Sequence, residues 1–405
     1  MRSKMIIELI IALLLGCTIG TFTGLAPGIH INLISAILLV YLPGLSSKFS
    51  LLFVAIFIVS MSTTHTFLDF IPSVFLGAPD EDTFLSVMPG HQMLKEGKAH
   101  EAVMLTLYGS LLALPIILIF SPAFVYIMPL IYESAKSLLP YLLIFIGLYA
   151  VFREDRVLLA ITIFLMSGFI GLISLNLPVN QPMLPLLSGL FGASSLILAV
   201  KQKSEIPKQE FSGLRDIKVS RKDFFRASLG SIFSAPLCSF LPGVGSGHAA
   251  AIGSEIIEQT QKSFLILLGA INTIVMGLSF ITIFSIGRAR TGSALAVKNI
   301  LETISVGDII TIITAIIFSG FLSFLIGIKI SKYFSAKISK INYSVFSLFV
   351  IGLLAAIVPV FSGWIGMIIF ITSTSLGLFT ILSGTRRINL MGSLLIPTII
   401  FYLVG

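Results

Sequence analysis

Ionisable side chains are scarce in this chain, and several gather beside breaks in otherwise apolar sequence. Asp80, Glu81 and Asp82 stand together in FLGAPDED, and Arg288 and Arg290 in SIGRAR. His30, Asn32 and Ser35 follow the pair Pro27-Gly28; Ser246, His248 and Ser254 follow the pair Pro242-Gly243. A guanidinium grips an oxyanion with two parallel hydrogen bonds, and a carboxylate takes up a proton or a metal cation. Proline removes a backbone donor and glycine tolerates left-handed backbone, so each Pro-Gly pair leaves unpaired amides at the start of a following helix. Such amides, with the positive end of the helix dipole, suit an anion. Two readings of the charged clusters stay open. Either they are ion pairs or wet loops, or Arg288 and Arg290 bind an anion while Asp80 and Asp82 bind a coupling cation. The glycines and serines of the breaks are likewise open to two uses, close helix packing or ligand binding; for the paired Pro27-Gly28 and Pro242-Gly243 sites we favour binding.

Other chemistries find little support. The chain has no GxxxxGK[ST] phosphate loop, and His100-Glu101 lacks the second histidine of a zinc-protease motif. Its two cysteines, Cys17 and Cys238, lie in apolar segments without CxxC or Cys/His metal spacing. No cofactor or metal is expected. His30, His65 and His248 sit on separate segments and read as hydrogen-bonded packing residues, with acid–base work in an intramembrane enzyme as the competing class of function.

The elements that hold these residues follow from composition. Of 405 residues 56% are hydrophobic and 11% charged, which describes an all-α polytopic membrane protein, multi-pass in the cell membrane. The net charge of +8 is spread thinly between apolar runs, so it reads as a topology signal facing the cytoplasm, and not as a nucleic-acid surface. Apolar runs near spanning length occur at the N-terminus and over residues 49–68, 103–120, 141–151, 157–175, 183–200, 264–284, 309–328, 345–358, 365–382 and 390–404. Residues 70–102 are too apolar at the ends for a solvent loop and too charged in the middle for a plain span, so a broken or re-entrant hairpin turning near Gly77 to Asp82 is predicted. Lys201 to Arg226 carries eight Lys or Arg and reads as a basic cytoplasmic linker between a first half, 1–200, and a second, 227–405.

The halves repeat. Pro27-Gly28 and Pro242-Gly243 stand 215 residues apart, Leu76-Gly77 and Ile286-Gly287 stand 210 apart, and IGLYA at Ile146 precedes IGLLA at Ile351 by 205. The offset drifts in one direction, as a duplication with small deletions would leave it. The basic tracts 153–156, 329–340 and 386–387 correspond to segments 359–363, 121–136 and 175–180 that carry one or no positive charges, which puts corresponding loops on opposite faces. Two inverted structural repeats are therefore expected, with their broken helices meeting near the membrane midplane.

At these motifs the chain resembles the TctA family, the large membrane subunit of tripartite tricarboxylate transporters. The likeness is carried by both Pro-Gly breaks, by FLGAPDEDTFLSVMPGHQMLKEGKAHEAV, by LPLLSGLFGASSL from Leu184, and by RRINLMGSLLIP from Arg386. The resemblance implies uptake of citrate-like carboxylates driven by an H+ or Na+ gradient, with a small membrane subunit and an extracytoplasmic binding protein as partners. Its Pro-Gly turns also resemble those of bacterial polyprenyl-phosphate translocases, which makes a lipid phosphate the alternative cargo.

Overall fold

Apolar runs of this length leave the backbone no water to bond with, so the chain satisfies itself by helix. The computed structural model describes residues 2–26, 31–77, 82–201, 207–210, 217, 219–240, 245–338 and 343–404. Their helices are α1 (Arg2–Leu25), α2 (Ile31–Val40), α3 (Leu42–Ser46), α4 (Leu51–Leu68), α5 (Phe70–Leu76), α6 (Val87–Lys95), α7 (Ala99–Phe152), α8 (Val157–Asn176), α9 (Met183–Leu187) and α10 (Ser194–Lys201), then α11 (Arg221–Ser239), α12 (Ser246–Ile256), α13 (Gln261–Ile286), α14 (Gly292–Leu301), α15 (Val306–Ile338), α16 (Tyr343–Leu382) and α17 (Gly392–Val404). Among the described residues there is no strand, and nine helical stretches are long and apolar enough to cross a membrane.

The chain forms two compact units, and each draws on both sequence halves. Unit 1 is Met1–Ile71, Val103–Tyr132 and Leu214–Lys332; unit 2 is Pro72–Ala102, Glu133–Gly213 and Tyr333–Gly405. In unit 1 the central elements are α4 and α13. The most apolar window of α13 is 94% buried and that of α1 only 22%, so α13 is wrapped by protein while α1 turns a broad apolar face outward. Helices approach through glycine. A Cβ on Gly16 or Gly20 of α1 would overlap the backbone of α4, and one on Gly109 of α7 would overlap the Ile266 carbonyl of α13. At that second crossing the Ser110 hydroxyl donates to the Gly269 carbonyl at 3.1 Å.

Unit 2 packs α16 against α9, α10 and the π-helical turn Ser188–Ala193 between them, and packs α8 against α17. Its core joins Ala193 and Leu196 to Val350, Leu354, Val358 and Phe370. One end of α8 is tied to the C-terminal segment, where Arg386 Nε donates to Glu154 Oε1 at 2.6 Å. Beyond its other end the Ser362 hydroxyl donates to the Gln181 carbonyl at 3.3 Å. Segments 153–156 and 386–387 thus share one end of this unit, and 177–182 and 359–363 the other.

Several sequence boundaries need correction. Residues 121–136 are not a loop but the middle of the 54-residue helix α7, despite Pro115, Pro122, Pro129 and Pro140. Each proline removes a single helical hydrogen bond, which a helix packed among others tolerates. The basic tract 329–340 is helical through Ile338, as the end of α15. Residues 345–358 and 365–382 run together as α16, kinked at Gly363, whose φ of 67° suits a residue without a Cβ. Helix α11 begins at Arg221, inside the basic segment, where Ser220 caps it. The linker also has a structural duty: Gln209 accepts from the Ala99 amide at 3.0 Å and donates to the Leu94 carbonyl at 3.1 Å, so it caps the turn between α6 and α7.

Candidate functional site

The described helices stop and start on either side of both Pro-Gly pairs. α1 ends at Leu25 and α2 begins at Ile31; α11 ends at Ser239 and α12 begins at Ser246. Pro27, Gly28, His30, Pro242, Gly243 and Asp80 lie outside the described residues, as does the side chain of Asn32, which sits in the first turn of α2. The reading of FLGAPDED as an ion-paired cluster lies outside them as far as it involves Asp80 and Glu81.

The described part of the second break leads into a buried polar cluster of unit 1. Ser246 opens α12, and its hydroxyl lies 3.4 Å from Asn272 Oδ1 on α13. Asn272 Nδ2 donates to Asp69 Oδ2 at 2.8 Å and lies 3.5 Å from the Thr66 carbonyl. Asp69 terminates α4: its amide bonds the His65 carbonyl at 3.0 Å, and α5 starts one residue later. One turn back on the same face, His65 places Nε2 4.0 Å from Asp69 Oδ2 and Nδ1 3.1 Å from the hydroxyl of Thr23, two residues before the end of α1. Thr66 and Thr273 close the cluster, hydroxyl to hydroxyl, at 3.3 Å. Asp69 and His65 are each only 4% exposed. His248 is buried too, but its Nδ1 accepts from the Gly245 amide at 3.1 Å, so that nitrogen caps its own helix. A buried carboxylate costs several kcal/mol to desolvate, and the Asn272 amide returns about 1.5–3 kcal/mol of it.

The arginines singled out by sequence are placed differently from a buried clamp. Arg288 is exposed, with its guanidinium carbon 5.3 Å from the centre of the Tyr132 ring. Tyr132 meets Phe240 edge-on at 5.9 Å, and Phe240 stands two residues before Pro242 of the second break. Arg290 is half-buried, close enough for its charge to act on the Cys238 thiol of α11. Asp82, in a turn ahead of α6, is half-buried.

In unit 2 the buried arginine is Arg387, 7% exposed. A π-helical turn frees carbonyls from the regular helical ladder. Arg387 Nη2 donates to two of them, Leu190 at 2.8 Å and Phe191 at 2.6 Å, and to the Ser194 hydroxyl at 3.0 Å; Nη1 donates to the Ser195 hydroxyl at 2.6 Å. Its guanidinium carbon lies 5.2 Å from the Phe191 ring centre. His91 of α6 belongs to the same neighbourhood and covers Gly77, whose φ is +62°. Burial first, then the charges of Arg387 and Lys95, push the His91 pKa down to about 3, so the imidazole is neutral.

Asp69, Asn272, Thr23 and Arg387 escaped the sequence reading. Closing the span at Leu68 put Asp69 outside it, although an acid within an apolar run is itself the signal. Arg387 passed as half of a basic topology tract. Among the described residues no group of three or more His, Cys, Asp or Glu could hold a metal ion.

Apolar spanning helices around buried ionisable groups define a multi-pass membrane protein with polar sites inside its core. The chain belongs to the tripartite tricarboxylate transporter TctA family, whose sequence profile matches residues 10–392. An uncharacterized protein of Methanocaldococcus jannaschii is 31% identical over 410 residues, covering 97% of this chain and 98% of its own. No solved structure matches.

Proposed function

We propose that this chain is a secondary carrier that moves an organic anion, a di- or tricarboxylate, across the cell membrane on an H+ or Na+ gradient. The observation that carries the reading is the chain of buried contacts from Ser246, where α12 restarts, through Asn272 to Asp69. It sets a group able to bind a cation beside a helix start able to bind an anion. In this reading the backbone of both breaks, with His30, Asn32, Ser246 and His248, faces the anion, and Asp69 with His65 answers to the coupling ion. Asp80 and Asp82 are kept as a second cation site on the hairpin, and Arg288 and Arg290 as an electrostatic approach to the second break. Family membership supports carboxylate transport, a small membrane subunit and an extracytoplasmic binding protein as partners.

The test is uptake of radiolabelled citrate by purified protein in liposomes without ATP, under an imposed proton or sodium gradient. Wild type should accumulate citrate with one of the two gradients, and Asp69→Asn should lose gradient-driven accumulation by at least tenfold while keeping the fold. Gradient-driven movement of a polyprenyl phosphate, with citrate ignored, would move the reading to the alternative cargo. Chemical conversion of a substrate in detergent would replace it with an enzyme.

A further inference from the structure

Within unit 1, α11 and α13 run side by side. Thr260, which caps α13, donates its hydroxyl to Asp223 Oδ1 in the first turn of α11 at 2.8 Å, and Gly230 farther along α11 faces Leu267 of α13. The two helices therefore start level and point the same way. Because α13 is long and apolar enough to cross a membrane, the first turn of α11 stands where α13 enters the bilayer. At that level lies a hollow of about 500 Å3 whose described lining is Val219, Ser220, Arg221, Phe224, Phe225 and Ser228.

The hollow joins two chemistries. Arg221 and Lys222 are exposed, and neither has an ion-pair or hydrogen-bond partner among the described residues. Asp223, the acid that follows them, is held by the Ser220 and Thr260 hydroxyls at 2.7 and 2.8 Å and lies in the field of Arg226 and Lys262, so it does not answer their charge. Beside the cations Phe224 and Phe225 are exposed, Phe225 to 62%. The same outward stripe continues through Leu229 and Ile232 to Phe233, 57% exposed. A solvated charged face gives no reason for the phenylalanines, and a face sunk in hydrocarbon gives none for the cations. Along the helix Phe225 lies about 6 Å and Phe233 about 18 Å beyond Arg221, which follows a phospholipid from its headgroup into its acyl chain.

We propose that this hollow binds an anionic phospholipid, with the phosphate on Arg221 and Lys222 and an acyl chain along Phe225, Leu229 and Phe233. A headgroup of net negative charge leaves its phosphate to both cations, whereas a zwitterionic headgroup brings an ammonium that competes with them. The occupant is a resident lipid of the membrane and not a cargo, so the site stands apart from the carrier reading.

Competitive quenching reads this position directly, because the chain has a single tryptophan, Trp364. The full chain carrying Trp364→Phe/Phe225→Trp is reconstituted in vesicles of phosphatidylglycerol and phosphatidylcholine, with one or the other lipid brominated as the quencher. The indole should prefer the anionic lipid by at least about fivefold, the scale of one basic side chain at a membrane surface, and adding Arg221→Gln/Lys222→Gln should bring the preference close to one. Trp364→Phe/Phe318→Trp, which puts the indole on an exposed apolar face of α15, should show no preference. Equal quenching by the two lipids at position 225 overturns the assignment, as does an equal anionic preference at 318 or a preference that survives loss of both cations. Quenching by neither lipid at 225 means that protein covers the hollow, and loss of the preference on adding millimolar inorganic phosphate means a site for free anions; either result overturns the lipid as occupant. If the charge variant does not fold, the comparison of positions 225 and 318 decides.

Discussion

His91 shows how one buried side chain records its surroundings. Its ring lies against Gly77, where a Cβ would come within 2.9 Å of it, in the field of Arg387. An unfolded histidine titrates near pH ~6.5, whereas His91 resists protonation down to about 3. As pH falls through this window the unfolded chain binds a proton that the folded chain refuses, so folded stability drops with falling pH. His91→Gln removes that linkage. Its melting temperature relative to wild type should rise between pH 7 and pH 4.5, measured in detergent, and a constant offset would contradict the assigned burial. Uptake by wild type should show no pH dependence that His91→Gln abolishes, because the imidazole stays neutral throughout the physiological range.

Helices met at glycine make the same kind of statement one level up. Gly269 on α13 faces the backbone of Thr106 on α7, and Gly109 faces Ile266 in return, so this crossing is as close as backbones permit. Gly269→Leu has no rotamer that avoids the Thr106 carbonyl, and overpacking of this kind costs about 1–3 kcal/mol or more. The expected outcome is a lower melting temperature or loss of folded protein on size exclusion, whereas Gly352→Leu, at a glycine with open space beside it, should leave both unchanged. The sequence revealed most of this level. Hydropathy alone located α8, α13 and α17 to within a few residues. It failed where a local rule met a tertiary override. Pro122 and Pro129 with Glu133 and Lys136 read as a loop, yet they sit inside α7, because a helix can lose scattered hydrogen bonds and still be the cheapest backbone in an apolar solvent. Asp69 and Arg387 were overlooked for a related reason: charge at the edge of an apolar run looks like a boundary, and only packing shows it to be inside.

For the whole molecule the inverted arrangement of the repeats remains our proposal, motivated by the one-way drift of repeat spacing and by opposite charge at corresponding loops. It places residues 153–156 in the cytoplasm and 359–364 outside. The hydrogen bonds of unit 2 are compatible with this, since Glu154 pairs with Arg386 at one end of α8 while Ser362 reaches Gln181 at the other. Asp155→Cys should therefore react with an impermeant maleimide only from the cytoplasmic side, and Trp364→Cys only from outside, against a background in which Cys17 and Cys238 are both buried. Reaction of the two positions from one side would refute the scheme.

The chain passes from one compact unit to the other after Ile71, Ala102, Tyr132, Gly213 and Lys332. Neither sequence half contains a whole unit, so on the proposed duplication a single ancestral half would have held only segments of each. Before any duplication was fused, each copy would have lent segments to a partner copy, as strand- or helix-exchanging homodimers do. The basic linker then reads as the seam of a fused dimer. On that proposal, joining the copies would make the exchange intramolecular, replace a concentration-dependent assembly by a tether of fixed effective concentration, and free the two copies to diverge. On the same proposal, the acids of FLGAPDED in the first half would answer to the arginines of SIGRAR in the second.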